Sequence, residues 1–228
     1  MNKKLYLDSN TTSFEKKETV RKNYDIIAED YANEFGFYTE DLDVYDELAK
    51  YLDKDSNVLD LGAGTGRTYA YFNKKGIKYV GLDFSNEMKN YAYKLHGNFP
   101  YIVDDMINVK KYFDNNSIDA VFAVYSLFHL PKEEFIKTIT NVSDILKNNG
   151  LFLFSFQEGD KEEMADEPYL GEEGKGMLYM NYMKKEEINS LLEKYSFEEL
   201  YRKEKIETAE TAINSGENKT IFILARKK

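Results

Sequence analysis

Apolar residues fall along this chain in two alternating rhythms. Between Phe14 and Phe35 they recur at helical spacing, through Val20, Tyr24, Ile27, Ala28 and Tyr31. A second helical stretch, near Asp41 to Leu52, sets Leu42, Tyr45, Leu48, Ala49 and Leu52 on one face. Short apolar runs then alternate with further helical stretches. The runs are Asn57–Leu61, Lys78–Asp83, Tyr101–Val103, Ile118–Tyr125 and Leu151–Gln157. Ile118–Tyr125 is apolar almost throughout, as in a strand covered on both faces. The intervening helices are expected from Gly66 to Lys75, from Asn86 to Leu95, and from Pro131 to a C-cap at Asn149-Gly150. A last helix, Lys185–Tyr195, precedes two strands, Phe197–Ile206 and Lys219–Ala225, joined by a turned connection around Ser215-Gly216.

Strands alternating with helices predict an α/β fold with a mostly parallel sheet and helices on both faces. The rhythm fails over residues 158–176, which hold Gly159, Pro168, Gly171, Gly174, Gly176 and eight acids. That segment reads as a loop or lid inserted after the fifth strand. One domain over 1–228 is expected. Its parts are a cap (1–40, frayed or lid-like over 1–13), a cofactor-binding core (41–157), a substrate-side insertion (158–183) and a C-terminal helix with a strand pair (184–228).

The most informative chemistry lies in Val58-Leu59-Asp60-Leu61-Gly62-Ala63-Gly64-Thr65-Gly66-Arg67. An apolar strand ends in an acid, glycines follow at alternate positions, and a helical pattern begins. Glycine permits positive φ and close approach of a ligand to the backbone. A strand, a glycine turn and a helix N-terminus predict a pocket of available N–H groups. A second strand ends in Asp83 about 20 residues on, where nucleotide-binding α/β folds place a ribose carboxylate. Asp83 is equally suited to cap the helix that follows Ser85. Arg67 stands where the dinucleotide fingerprint needs its third glycine, and no Gly-Lys-Ser/Thr follows for a phosphate loop. Asp60 would repel a pyrophosphate but suits a ligand with a cationic amine. The residues thus favour a ribose-bearing cofactor with an amino-acid part over NAD.

With these motifs the sequence resembles the class I S-adenosylmethionine-dependent methyltransferases. The first motif is matched by Asp60, Gly62, Ala63, Gly64 and Gly66, and the second by Asp83, Phe84 and Ser85, with Met88 just beyond. Val103-Asp104-Asp105-Met106 matches the acid after the third strand, where the family pattern selects Asp105 for the adenine side, followed by Met106. The fourth-strand region runs Ile118 to Ala123 and on to His129-Leu130, and Gly150 opens the fifth strand. The resemblance spans nearly the whole chain. It implies a Rossmann-like, doubly wound seven-stranded sheet in the order 3-2-1-4-5-7-6, with the last strand antiparallel. It also implies S-adenosylmethionine as cofactor and a small-molecule methyl acceptor. Asp60, Gly62, Ala63, Gly64, Gly66, Asp83, Phe84, Met88, Asp105, Met106 and Ala123 become candidate cofactor contacts.

Tyr24-Asp25-x-x-Ala28-x-x-Tyr31 is similar to a segment of the ubiquinone/menaquinone-biosynthesis-type members, where it folds over the cofactor and borders the substrate. Tyr24, Tyr31, Tyr125, His129 and Tyr182 are candidate acceptor contacts, and Phe35, Phe156 and Tyr179 further wall residues. With 19 tyrosines and 15 phenylalanines such walls are easily assembled, and they suit an aromatic or cationic acceptor. His129 has the pKa of a base near neutrality, or is a polar cap beside Pro131. His96, before Gly97, reads as a helix-end cap.

Composition narrows the field. The formal net charge is −10, which disfavours a polyanion such as nucleic acid. Val124-Tyr125-Ser126-Leu127 also replaces the Asn/Asp-Pro-Pro-aromatic motif of DNA amino-methyltransferases. The absence of cysteine excludes disulfides, thiolate metal sites, iron–sulfur radical chemistry and cysteine-adduct methyl transfer. Tyr125 and Ser126 occupy the place of metal-binding acids, so no metal is expected. Without an apolar run of 18 residues or a signal-like N-terminus, no membrane span and a cytoplasmic location are expected. The alternatives are a NAD-binding Rossmann oxidoreductase and a cofactor-binding protein of the same fold without transfer activity.

Overall fold

The computed structural model describes residues 11–37, 40–166, 177–207 and 218–228. The expectations for residues 1–10, for 167–176 of the insertion and for the connection at Ser215-Gly216 lie outside the described residues. Helix α1 (Ser13–Phe35) starts at a capping box. The Thr12 amide donates to Glu15 Oε2 at 2.8 Å, and the Glu15 amide donates to Thr12 Oγ1 at 3.2 Å. Its buried residues, Val20, Ile27, Ala28 and Ala32, lie at helical spacing and pack on later elements. Helix α2 (Leu42–Ala49) buries Val44, Tyr45 and Leu48.

The core follows as β1 (Asn57–Leu61), α3 (Tyr69–Lys74), β2 (Lys78–Asp83), α4 (Asn86–His96) and β3 (Tyr101–Val103). A 3-10 turn (Met106–Lys111) leads to β4 (Ile118–Ala123), and a second one (Leu127–His129) to α5 (Lys132–Ile145). Then come β5 (Leu146–Glu158), β6 (Glu162–Asp166), β7 (Met177–Met183), α6 (Lys185–Lys194), β8 (Phe197–Glu207) and β9 (Asn218–Lys227).

The main sheet runs β3-β2-β1-β4-β5-β9-β8, the expected order, with β9 antiparallel to both neighbours. Parallel strands buried on both faces explain the apolar runs. Leu59, Leu61, Val121, Phe152 and Phe154 face α5 and α6. Val58, Phe122 and Leu153 face the other way, where Tyr45 of α2 and Phe72 of α3 pack on Phe122. Truncating Phe122 to alanine would cost about 3–5 kcal/mol.

Three expectations are corrected. The C-cap expected at Asn149-Gly150 is absent, because α5 ends at Ile145 and Leu146 already pairs with Ile118 of β4. Asn149 takes the left-handed turn (φ 63), and Gly150 is needed for room, since a Cβ there would meet the Lys147 carbonyl oxygen at 2.8 Å. The fourth strand stops at Ala123, and Tyr125 is left-handed (φ 60). The insertion is also more than a loop. β6 and β7 form an antiparallel ribbon, and β7 joins the C-terminal end of β5 by the pairs Gln157–Tyr182 and Glu158–Met183. Two strands beyond the expected seven result, both hung from β5. No described helix is long and apolar enough to cross a membrane.

Candidate active site

At the carboxyl ends of β1, β2 and β4 lies one cleft, where α/β sheets of this order bind ligands. Its free space, mouth included, is about 860 Å³. The glycine loop enters it by a route fixed by the next strand. The Gly62 and Ala63 amides both donate to the Leu82 carbonyl, at 2.7 and 3.1 Å. The Gly64 amide donates to Asp83 Oδ2 at 2.9 Å. The expected pocket of available amides is therefore not formed at these three positions: they serve β2. A phosphate cradle is missing where a pyrophosphate would need it.

Two glycines in the loop do different work. At Gly62 (φ +83) a Cβ would lie 2.3 Å from Ser126 Cβ, whose hydroxyl donates to the Leu61 carbonyl at 2.6 Å. At Gly64 (φ +51) a Cβ would meet nothing within 4 Å, so the backbone there borders open space a ligand can approach.

Acids surround this end. Asp83 Oδ1 accepts the Ser85 amide at 2.9 Å while Oδ2 accepts Gly64, so its carboxylate ties the turn after β2 to the glycine loop. Burial pushes its pKa up to about 6, against the pull of the Ser85 and Gly64 amides, with Asp25 adding to the rise. Asp60 is buried deeper in the wall. Its Oδ2 accepts from Thr68 and Tyr79 hydroxyls, both at 2.7 Å, and burial raises its pKa to about 7. Asp105 lines the cleft, accepts the Ile107 amide at 3.1 Å and pairs with Lys17 of α1. Lys17 also pairs with Glu134 at the start of α5. Asp104 turns away to Tyr112 and Asn108. Ser85 Oγ donates to Asp25 of α1 at 2.6 Å, a second strap from that helix.

The opposite wall is aromatic. His129 Nδ1 lies 2.9 Å from the Tyr179 carbonyl oxygen, so Nδ1 carries the proton and donates it. Nε2 is then an acceptor, and the Tyr24 hydroxyl 3.0 Å away donates to it. Burial pushes the imidazole down to about 4, with the Tyr179 carbonyl pulling the other way, so His129 is neutral at physiological pH. Tyr31 packs edge-on against Tyr24. Tyr125 donates to Asp41 Oδ2 at 2.7 Å. Asp41 is itself left-handed (φ 62), buried, and paired with Lys205 at 3.0 Å and Lys203 at 3.3 Å of β8. Two non-glycine residues in sparsely populated backbone states thus hold each other at the cleft.

Most predicted residues gather here: Asp60, Gly62, Ala63, Gly64, Asp83, Phe84, Met88, Asp105, Met106, Tyr24, Tyr31, Tyr125 and His129 all line the cleft. Gly66, Ala123 and Tyr182 do not. Gly66 (φ +71) makes room for Phe99, which a Cβ would meet at 2.8 Å. Ala123 points into the core with α5, and Val124 takes its place. Tyr182 packs one layer back, with Phe128, Ala165 and Met180. Phe156 lies in the main core, and Tyr179 is buried beside Val20. His96 is the last residue of α4 before Gly97 (φ 75), but its ring bonds the backbone of Thr65, so the expected cap role is not seen. Sequence reasoning missed Arg67, Tyr45, Thr68 and Ser126. Arg67 was visible only as the residue that breaks the dinucleotide motif, and Tyr45 only as one of a helix's core face.

The sheet order, the glycine loop and the strand-end acids define a class I S-adenosylmethionine-dependent methyltransferase fold. The chain belongs to that family: a model described as a methyltransferase domain matches residues 32–201. It is 30% identical over 125 residues to a putative methyltransferase, YqeM, of Bacillus subtilis, covering 51% of this chain and 50% of that one. It is 31% identical over 135 residues to a sarcosine/dimethylglycine N-methyltransferase of Halorhodospira halochloris, covering 54% and 46%. The chain thus spans about half the length of these curated relatives. Among solved structures, the 1,6-didemethyltoxoflavin-N1-methyltransferase of Burkholderia thailandensis, crystallised with its substrate and S-adenosylhomocysteine, superposes with a TM-score of 0.70. That match covers all of both chains at 16% identity and speaks for the fold.

Proposed function

We propose that this chain transfers a methyl group from S-adenosylmethionine to a nitrogen of a small molecule. The observation that carries the reading is the joining of three landmarks at one cleft: a glycine loop open at Gly64, Asp83 at the end of β2, and Asp105 after β3. This donor set fits the cofactor. Asp83 would hold the ribose hydroxyls, Asp105 and Met106 the adenine side, and the loop with Asp60 the aminocarboxypropyl arm. The bound cofactor supplies an electrophilic methyl on a positively charged sulfur. The protein aligns the acceptor and excludes water.

The proton inventory favours nitrogen. Placing a proton on His129 at pH 7, about three units above its pKa, costs about 4 kcal/mol. His129 is therefore a poor base for a hydroxyl or carbon acid. A neutral amine needs no proton removed before it attacks. Tyr24, held by His129 Nε2, offers its hydroxyl oxygen as acceptor to an amine N–H and points the nitrogen lone pair. His129 acts through Tyr24, and its tautomer is set by the Tyr179 carbonyl. The name of the Halorhodospira relative, an N-methyltransferase, agrees with this reading.

The net charge of −10 supports a small acceptor rather than a nucleic acid, and a cytoplasmic location is proposed with it. The test is direct. S-adenosylhomocysteine should raise the melting temperature and NAD should not. A labelled-methyl screen of amines should then yield a product. Stabilisation by NAD alone would overturn the reading in favour of an oxidoreductase. Cofactor binding without any methylated product would leave a binding protein.

A further inference from the structure

Asp83 and Asp105, proposed above for the ribose and the adenine side, are both reached from α1. Lys17 pairs with Asp105 directly. Asp25, about two turns further along the helix, reaches Asp83 through one intermediary. Its Oδ1 accepts the Ser85 hydroxyl at 2.6 Å and the Glu87 amide at 3.4 Å, while its Oδ2 pairs with Arg21 at 2.5 Å. Arg21 is held in turn by Glu18 at 2.7 Å. Ser85 is fully buried. Its hydroxyl has one proton, given to Asp25, and it accepts the Met88 amide at 3.0 Å as the N-cap of α4. Its own amide donates to Asp83 Oδ1 at 2.9 Å, and the Gly64 amide donates to Oδ2. A single file of hydrogen bonds therefore runs from α1 through Asp25, Ser85 and Asp83 to the glycine loop.

The cap of α4 does not require Asp25. Ser85 caps that helix by accepting from Met88, a bond in which Asp25 takes no part. An acid at this place also carries a cost. Asp25 faces Asp83 from α1, Asp60 from β1 and Tyr101 from β3, and Asp105 lines the same cleft. Arg21 acts on Asp25 from within α1, and Arg67 acts on Asp60. A like charge near Asp83 disfavours its ionised form. Carboxylates crowded in this way gather at functional sites. Ribose hydroxyls would donate to Asp83 and favour its charged form, so the ligand offsets what Asp25 costs.

We infer that Asp25 is a positioning residue for the cofactor: acting through Ser85, it fixes the direction in which Asp83 meets the ribose and so ties that contact to the seating of α1. The inference rests on the methyltransferase reading and deepens it. Asp25 touches neither cofactor nor acceptor. It stands beside Tyr24, which bonds His129, so adjacent residues of one helix serve the two halves of the cleft.

The full chain is titrated with S-adenosylhomocysteine by calorimetry between pH 5 and pH 8. At pH 8 Asp25→Ala should weaken binding about tenfold, and Asp25→Asn, which keeps an acceptor for the Ser85 hydroxyl, should recover most of that loss. In Asp25→Asn the like charge is gone, so the fall in affinity on acidification, centred near pH 6 in the wild type, should move about 0.5 lower. In an Asp83→Asn background Asp25→Ala should cost less than about threefold, because the carboxylate it positions is already absent. Wild-type affinity in Asp25→Ala at pH 8, an equal loss in both backgrounds, or an unmoved acid limb in Asp25→Asn overturns the inference. An equal loss would make Asp25 a brace of α1 alone. If Asp25→Ala does not fold, the acid limb of Asp25→Asn decides. Failure of the wild type to bind S-adenosylhomocysteine at all is a different result, which removes the methyltransferase reading itself.

Discussion

Asp83→Asn isolates what the carboxylate at the end of β2 contributes. In the folded chain its pKa stands at about 6, against 3.8 for an ordinary aspartate, because burial disfavours the charge more than the Ser85 and Gly64 amides favour it. A raised pKa stabilises the fold below pH 3.8, and that contribution is lost as pH rises through 6. The gap is worth about 3 kcal/mol, so at pH 8 the ligand-free protein holds Asp83 ionised against that cost. Asparagine removes the cost but turns an NH₂ towards one of two amide donors, forfeiting a charge-assisted bond of about 1.5–3 kcal/mol. The two nearly cancel, and the melting temperature at pH 8 should move little. Cofactor binding has no such offset. Loss of the carboxylate bond to ribose should weaken S-adenosylhomocysteine about tenfold to a hundredfold. Calorimetry at pH 8 and pH 5 checks this. Wild-type affinity should fall as Asp83 protonates below 6. The variant should keep only the slope above 6 that comes from Asp60, which titrates at about 7. If the variant binds within threefold of wild type at pH 8, and wild-type affinity is flat from pH 5 to 8, Asp83 only ties the turn and the reasoning is refuted.

Gly62→Ala should destabilise by more than about 2 kcal/mol, since strain at φ +83 adds to the overlap with Ser126. Gly64→Ala should cost only about 1 kcal/mol yet weaken S-adenosylhomocysteine, because its methyl enters open space; denaturant melts and calorimetry on both variants would reveal the reverse order if the loop is misread. Tyr24→Phe should lower kcat on the identified amine about tenfold or more while leaving cofactor affinity unchanged, and combining it with His129→Ala should add little further loss. Losses that multiply would mean the two residues act separately. Lys17→Met removes the cation shared by Asp105 and Glu134, and should speed S-adenosylhomocysteine release several-fold in stopped-flow measurements; an unchanged off-rate would show that α1 does not hold the cofactor in.

Legibility varied with the physics of each element. β1, β2 and β4 could be read because a parallel strand covered on both faces must be apolar throughout. α1 could be read because its buried residues keep helical spacing. The end of α5 could not, since Asn149-Gly150 has the composition of a helix cap, while pairing of Leu146 with Ile118 ends the helix four residues sooner. β6 was hidden by acids that are tolerated on a ribbon edge. At the site, the acids could be read from their place after strands. The direction of the loop amides could not, because their acceptors, the Leu82 carbonyl and Asp83, lie some twenty residues on and are brought near only by the sheet. Arg67 sits in no period, and Tyr45 and Tyr125, which it meets, lie on separate elements.

The β6–β7 ribbon grips the main sheet by two residue pairs only, whereas β9 runs along β5 from Leu151 to Gln157. The seven other strands close their core without it. Among its described residues, the ribbon gives the cleft a main-chain oxygen at Tyr179, which orients His129, and packs Leu178 and Tyr179 behind Tyr24 and Phe84. Descendants of such a gene are free to trade this ribbon for longer, shorter or differently charged ones and meet new metabolites. The strand pairs that carry the glycine loop, β1 with β2 and β1 with β4, contain no residue of the ribbon.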